Sequence, residues 1–236
     1  MIKTYTYKIK PNKKVEQKFN HYVGVCRYVY NVSKELKEQM LIETSGESVS
    51  AVNAAANLNK LLQISGGAVY TDKKEVIEFD ISPRLTALSE VLDETEHKVL
   101  VFVPYRHTIQ VVSQYLTKQG VSNEIINGEV SATDRAHIIS RFQSMDDPRV
   151  LVIQPQAASH GVTLTRADTI VFWSPVMGVE TYLQCIARMD RVGQKNKMTV
   201  VHLEGSDVEK RIYKMLQGKV DLHSKLVDLY REELES

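Results

Sequence analysis

The stretch QCIARMDRVGQ, residues 184–194, carries three side chains whose types and spacing suit an anion. Gln184, Arg188 and Arg191 stand at i, i+4 and i+7, which a helix places on one face. One amide and two guanidiniums on one stripe can bind phosphate oxygens, because each guanidinium presents a planar fork of donors. Upstream, HGVTLTRAD (160–168) adds Gly161, which permits tight backbone approach, and the hydroxyls of Thr163 and Thr165. A lone loop histidine, His160, is better read as a polar loop residue than as a ligand. Cys26 and Cys185 are isolated thiols, and no CxxC or Cys/His cluster points to a metal.

These groups need a scaffold, and the chain spells one from residue 82 onward. Ser82-Pro83 reads as an N-cap with proline at the first helical position, opening a helix to about Glu94. KVLVFVPY (98–105) is a short β-branched run, the mark of a buried strand. A helix follows from about His107 to Lys118, and NEIING (123–128) reads as a short strand. Ser131 with Asp134 forms a capping box for a helix reaching Gln143. RVLVIQP (149–155) and DTIVFWSP (168–175) are further buried strands, and the arginine stretch falls on a helix over 178–191. MTVVHLEG (198–205) is a last strand, after which Ser206 and Glu209 open a charged C-terminal helical region. Alternating strands and helices with short connections predict an α/β fold: one parallel sheet with helices on both faces. Working groups in such sheets gather in loops at the carboxyl ends of strands. Ahead of this unit, AVNAAANLNKLLQI (51–64) reads as an apolar helix and SGGAVYTDKKEVIEF (65–79) as a hairpin turning near TDKK.

Bulk composition narrows the classes. The 236 residues suffice for one α/β domain with an appendage. No apolar run approaches the roughly 20 residues of a membrane span, and MIKTYTYKIK has no apolar signal region. Two isolated thiols fit a reducing cytoplasm. The net charge of +1 comes from 30 basic and 29 acidic residues, yet nine basic and only three acidic residues fall within 1–40. That head therefore carries +6 and the remainder −5. A basic head hints at a polyanion partner, although a lysine-rich segment also serves as a plain solvated face.

Residues 160–194 resemble motifs V and VI of superfamily-2 helicases, most of all the SWI/SNF branch. In that branch the first pattern is similar to G-L-N-L-T-x-A-D, met here by Gly161, Thr163, Thr165 and Asp168. The second is similar to Q-x-x-x-R-x-H-R-x-G-Q, met by Gln184, Arg188, Arg191, Gly193 and Gln194. Asp190 stands in the usual His position and Ala187 where many helicases have Gly. Asp190 either pairs with Arg191 and holds it or partly neutralises it. KVLVFVPYRHT resembles the motif IV strand. NGEVSATDRAHIISRFQ matches a family stretch at Gly128, Ser131, Arg135 and Phe142, and residues 51–70 resemble the lead-in of phage-encoded members. The resemblance implies a single RecA-like C-terminal lobe over 82–236 with a helical and hairpin lead-in over 33–81. It further implies that Arg191, as finger, and Arg188, as second contact, meet the γ-phosphate of ATP bound to another RecA-like lobe. Gln184 would orient the helix or a water. Gly161, Thr163, Thr165, Asp168, Gly193 and Gln194 would serve the ATP and nucleic-acid side.

The nucleotide-holding parts are not found. The one Gly-Lys pair, Gly218-Lys219, lacks the rest of G-x-x-x-x-G-K-[ST], and DETEH (93–97) reads as a polar helix end. ATP and its Mg would therefore come with an N-terminal RecA-like lobe in trans, and DNA is the implied nucleic acid. Residues 1–32 instead resemble the extreme N terminus of TnpB-type transposon proteins, through Lys3, Tyr5, Tyr7, Lys8, Pro11, Gly24, Arg27, Val29, Tyr30 and Asn31. They read as a short basic strand-helix segment, able to bind nucleic acid or simply to cap the fold. Two other functions stay open: a non-enzymatic nucleic-acid-binding protein, and a fused mobile-element remnant. Trp173 reads as core rather than as a base-stacking platform, and Cys185 as packing.

Overall fold

The computed structural model describes residues 3–8, 51–70, 76–159 and 161–218. The remaining parts of the basic head, His160, the TDKK turn and the C-terminal region after 218 lie outside the described residues. Strand β1 is Lys3–Lys8, followed by helix α1 (Ala51–Gly66) and an antiparallel hairpin of β2 (Ala68–Tyr70) and β3 (Val76–Glu78). Then come α2 (Ser82–Glu94), β4 (Lys98–Phe102), α3 (Arg106–Lys118), β5 (Asn123–Ile126), α4 (Ala132–Ser144) and β6 (Val150–Ile153). A 3-10 turn (Pro155–Ser159) precedes β7 (Ala167–Phe172), α5 (Val179–Ile186), β8 (Thr199–Glu204) and α6 (Asp207–Gln217).

The main sheet is parallel, in the order β1-β8-β7-β4-β6-β5. The five strands β4 to β8 are those the sequence predicts. The sixth, β1, belongs to the basic head and runs beside β8 with Lys3 opposite Thr199 and Lys8 opposite Glu204. Nothing in the sequence shows that the head joins this sheet, since strand pairing at a distance leaves no local pattern.

Alternation along the buried strands sends successive side chains to opposite faces. Val99, Val101 and Val103 pack with Leu88 and Leu92 of α2 and Ile109 and Leu116 of α3. Leu100, Phe102, Ile170 and Phe172 pack with Leu58 and Leu62 of α1, Phe142 of α4, Tyr182 of α5 and Tyr213 of α6. Each face thus has its own core, as the near-continuous apolar strands require.

Two caps bear out the expected boxes. The Ser131 hydroxyl accepts from the Asp134 amide at 3.1 Å, and the Ser206 hydroxyl accepts from the Glu209 amide at 3.4 Å. The start of α2 differs by one residue from expectation. Its N-cap is Ile81, without a side-chain cap, and Ser82 is the first helical residue. The Asp80 carboxylate accepts the Ser82 amide at 2.9 Å, so the acidic residue just outside the helix takes the role expected of Ser82.

Candidate functional site

The arginine stretch departs from the expected continuous helix. α5 ends at Ile186, and Ala187 is its C-cap. Tight turns then continue the chain: the amides of Arg188, Met189 and Asp190 donate to the carbonyls of Cys185, Ile186 and Ile186 at 3.2, 3.1 and 3.1 Å. The shortening has a physical cause in the loop that precedes β7. The Arg188 carbonyl accepts the Leu164 amide at 2.8 Å instead of continuing the helical ladder. Cys185 and Met189, both fully buried, pin this turn to the core.

Both guanidiniums fold back on the preceding turn. Arg188 Nε donates to the Gln184 carbonyl at 3.0 Å, and Arg191 Nε donates to the Ala187 carbonyl at 3.1 Å. Arg191 Nη1 also donates to the Gly161 carbonyl and the Thr163 hydroxyl, each at 2.9 Å. Gly161, at φ +70°, supplies the backbone turn that presents that carbonyl. Arg188 is only 6% exposed, and its Nη1 is buried with no hydrogen-bond partner. Burial lowers the Arg188 pKa, and the neighbouring Arg191 charge lowers it further. Two cations held this close, one with an unused buried donor, have the chemistry to receive an anion.

The other sequence-predicted groups divide. Gln184 donates to Glu180 at 3.0 Å across one helical turn. Asp190 is exposed and makes no ion pair with Arg191 within 4.0 Å, so the pairing alternative does not hold. Thr165, Asp168, Gly193 and the Gln194 side chain lie toward the amino ends of β7 and β8, while the Gln194 amide donates to the Arg191 carbonyl at 3.0 Å. There Gln194 donates to the Thr165 carbonyl at 3.3 Å and the Ala167 carbonyl at 2.7 Å. Gln143 donates to the Thr165 hydroxyl at 3.4 Å. Asp168 is buried and accepts from Thr169 at 3.0 Å and Asn196 at 3.4 Å. Gly193 is exposed at φ +106°. Thr165, Gly193 and Gln194 line the rim of a polar cavity of about 700 Å³ with His97, Lys98 and Arg166. The expectation that the working groups share the carboxyl ends of the strands is therefore corrected. The loop from 161 to 166 travels back from beyond the end of β6 to the start of β7, and the Leu164–Arg188 and Gln194–Arg191 backbone bonds join it and the 193–194 turn to the arginines.

A further cluster does occupy the carboxyl ends, and sequence reasoning missed it. Arg84 of α2 and Glu209 of α6 pair at 2.5 Å, at 4% and 0% side-chain exposure. Arg84 also donates to the Ser65 hydroxyl at 3.0 Å and the Trp173 carbonyl at 2.5 Å, and Trp173 Nε1 donates to the Gly66 carbonyl at 2.9 Å. Trp173 is fully buried, as its strand position implied. Lone charges on amphipathic helices carry no sign of such a partner, so only the fold reveals the pair. Among the described residues no group of three or more His, Cys, Asp or Glu forms a metal site, and no helix is long and apolar enough to cross a membrane.

Comparison with known proteins bears on the fold and the sequence of this lobe. Residues 83–193 match the model of the helicase conserved C-terminal domain, and residues 1–43 match a helix-turn-helix domain model of the OrfB type. The second match supports a transposase-like N-terminal segment. The CHD3-type chromatin-remodeling factor CHR7 of Arabidopsis thaliana is 28% identical over 170 residues, 71% of this chain and 13% of its own length. Chromodomain-helicase-DNA-binding protein 1-like of Danio rerio is 30% identical over 145 residues, 61% of this chain and 14% of its own. The chain thus spans about a seventh of the length of these relatives. Among solved structures, the Sulfolobus solfataricus SWI2/SNF2 ATPase core in complex with dsDNA aligns with a TM-score of 0.68 at 17% identity, covering 100% of this chain and 49% of that one. The C-terminal part of the Fun30 ATPase domain aligns with a TM-score of 0.57 at 21% identity, covering 66% and 55%. The described lobe is an α/β domain with the fold of RecA-like helicase C-terminal lobes, and its sequence is similar to those of chromatin-remodelling ATPases.

Proposed function

We propose that this chain is the arginine-finger half of a SWI/SNF-type, DNA-dependent ATPase of the phage-encoded kind, working with a partner RecA-like lobe. The observation that carries the reading is Arg188 Nη1, buried and unpartnered beside Arg191. A buried donor of this kind costs about 1–3 kcal/mol unless a ligand completes it. ATP would supply the phosphoryl group, and its triphosphate and Mg would be held by the partner lobe, since this sequence has no G-x-x-x-x-G-K-[ST]. Arg188 and Arg191 would offer donors to the charge that grows on the transferring group. Thr163 and the Gly161 carbonyl hold Arg191 in place, so motion of the loop from 161 to 166 would be felt at the phosphate. Thr165, Asp168, Gly193 and Gln194 serve this site indirectly, by fixing where that loop meets β7.

The test is to mix the purified chain with a Walker-type N-terminal lobe, DNA and ATP. The pair should hydrolyse ATP and the chain alone should not; hydrolysis by the chain alone overturns the half-site reading. Arg191→Ala and Arg188→Ala should each lower the paired rate by about a thousandfold, the scale of an arginine finger. An unchanged rate removes the finger assignment.

The +6 charge within residues 1–40 favours a second reading, a nucleic-acid-binding protein without catalysis. It predicts salt-sensitive binding to DNA or RNA that disappears when residues 1–32 are removed. Affinity that survives the truncation counts against it.

A further inference from the structure

α5 has only eight residues and no side-chain N-cap, so its own hydrogen bonds cannot fix its place. Contacts with the sheet must do so. Cys185 and Met189 contribute apolar packing, which resists removal but gives little direction. Tyr182 is different. Its ring is 4% exposed, and its centroid lies 5.0 Å from that of Phe172 and 5.7 Å from that of His202. Its hydroxyl is 3.0 Å from His202 Nε2.

His202 is fully buried in β8, and its Nδ1 lies 3.2 Å from Nε2 of Gln217, at the end of α6. An amide nitrogen only donates, so Nδ1 is the acceptor and the imidazole proton sits on Nε2. Nε2–H therefore donates to the Tyr182 hydroxyl oxygen. Burial pushes the His202 pKa down to about 4, which keeps the ring in this neutral tautomer. Tyr213 of α6 packs 4.4 Å from the same imidazole, and its hydroxyl donates to the Phe172 carbonyl at 3.2 Å. One histidine thus links α6, through the sheet, to the helix that leads into the arginine turn.

We propose that Tyr182 and His202 are positioning residues for the arginine turn. The relay from Gln217 through His202 to Tyr182 sets the rotation and height of α5, and with them the places of Arg188 and Arg191. This rests on the reading that those arginines meet a phosphoryl group. Neither Tyr182 nor His202 touches the arginines' donors, so their effect must pass through the helix.

Tyr182→Phe keeps the ring and removes one oxygen. His202→Ala removes the relay, and His202→Gln restores a donor near Nε2. The first measurement uses the full chain alone and follows solvent exchange of the Arg188 and Arg191 Nε protons by NMR. In the parent both are held by carbonyls, at 3.0 and 3.1 Å. Tyr182→Phe and His202→Ala should speed this exchange at least tenfold, and His202→Gln should return it to near the parent rate. The second measurement uses the chain with the ATP-holding lobe: kcat should fall about tenfold in Tyr182→Phe with KM for ATP unchanged, because the loss is felt in the transition state. Unchanged exchange and kcat in Tyr182→Phe, with Arg191→Ala still inactivating, overturns the positioning role. If Arg191→Ala leaves kcat unchanged, the finger reading fails, and the exchange rates alone decide whether Tyr182 holds the turn.

Discussion

The neutral imidazole of His202 has a cost that appears as pH is lowered. In the folded chain, burial sets its pKa at about 4, against 6.5 for a free histidine. Between those two values the unfolded chain binds the proton and the folded chain does not. Stability contributed by the neutral ring is therefore full above about pH 6.5 and is lost as pH falls toward 4. Each unit of difference is worth about 1.4 kcal/mol, so the full span amounts to about 3 kcal/mol. At about pH 5 the linkage relation gives a loss of about 2 kcal/mol from this one group. That is a large share of a domain's usual 5–15 kcal/mol or so. Urea unfolding near pH 7 and near pH 5 measures it, with His202→Gln as the reference that cannot titrate. Other groups protonate alike in both proteins and cancel in the difference. The parent should lose about 2 kcal/mol more than the variant between the two conditions. Equal losses would refute the claim that His202 is held neutral by the core.

Three more outcomes are expected. Glu209→Gln leaves Arg84 as an unpaired charge among residues that exclude water, and urea unfolding should show a loss of about 3–5 kcal/mol; a loss below about 1 kcal/mol would mean that the pair is replaceable by its remaining hydrogen bonds. Deleting residues 1–8 uncovers the outer edge of β8, so those amides between Val200 and Leu203 that point toward β1, alternate residues along the strand, should exchange faster in deuterium while those facing β7 stay protected, and unchanged protection throughout would refute the pairing of β1 with β8. Cys185 is fully buried with its thiol pushed up to about 12, so iodoacetamide should fail to modify it in the native chain at neutral pH; reaction at the rate of a free thiol would contradict its packing.

The parts of this molecule legible in the sequence are those written in local pattern. Runs such as KVLVFV and DTIVF fix β4 and β7 because buried parallel strands need continuous β-branched and apolar residues. Capping boxes at Ser131 and Ser206 fix the starts of α4 and α6 because the hydroxyl and amide involved are three residues apart. Within the arginine stretch the i, i+4 relation persists as bonds from Arg188 to the Gln184 carbonyl and from Arg191 to the Ala187 carbonyl, even where α5 gives way to turns, while the Gln184 amide turns to Glu180. What escapes depends on partners distant in sequence. The early end of α5 follows from a bond between Leu164 and Arg188, and the Arg84–Glu209 pair spans 125 positions. The union of β1 with β8 joins the first residues to the last strand. His202 looks like any residue of a strand until Tyr182 and Gln217 are seen on either side of it.

The two arginines are held in different ways that spacing alone does not show. The resemblance favours Arg191 as the finger and Arg188 as a second contact. Yet Nη1 of Arg191 is already shared between the Gly161 carbonyl and the Thr163 hydroxyl, whereas Nη1 of Arg188 is buried and unused. No bond among the described residues engages Nη2 of Arg191, so each side chain keeps a donor for an incoming anion. They differ in what holds them. Arg191 is tied to the loop at 161–163 and would register its movement, while Arg188 is fixed by its own turn and by burial. On the proposed reading, loss of the Thr163 hydroxyl should loosen Arg191 and spare Arg188. A Thr163→Val variant would then lower the paired ATPase rate less than Arg191→Ala does, because the Gly161 carbonyl still holds one donor. A loss equal to that of Arg191→Ala would mean that Thr163 itself reaches the nucleotide, and the loop would be part of the phosphate site rather than its support.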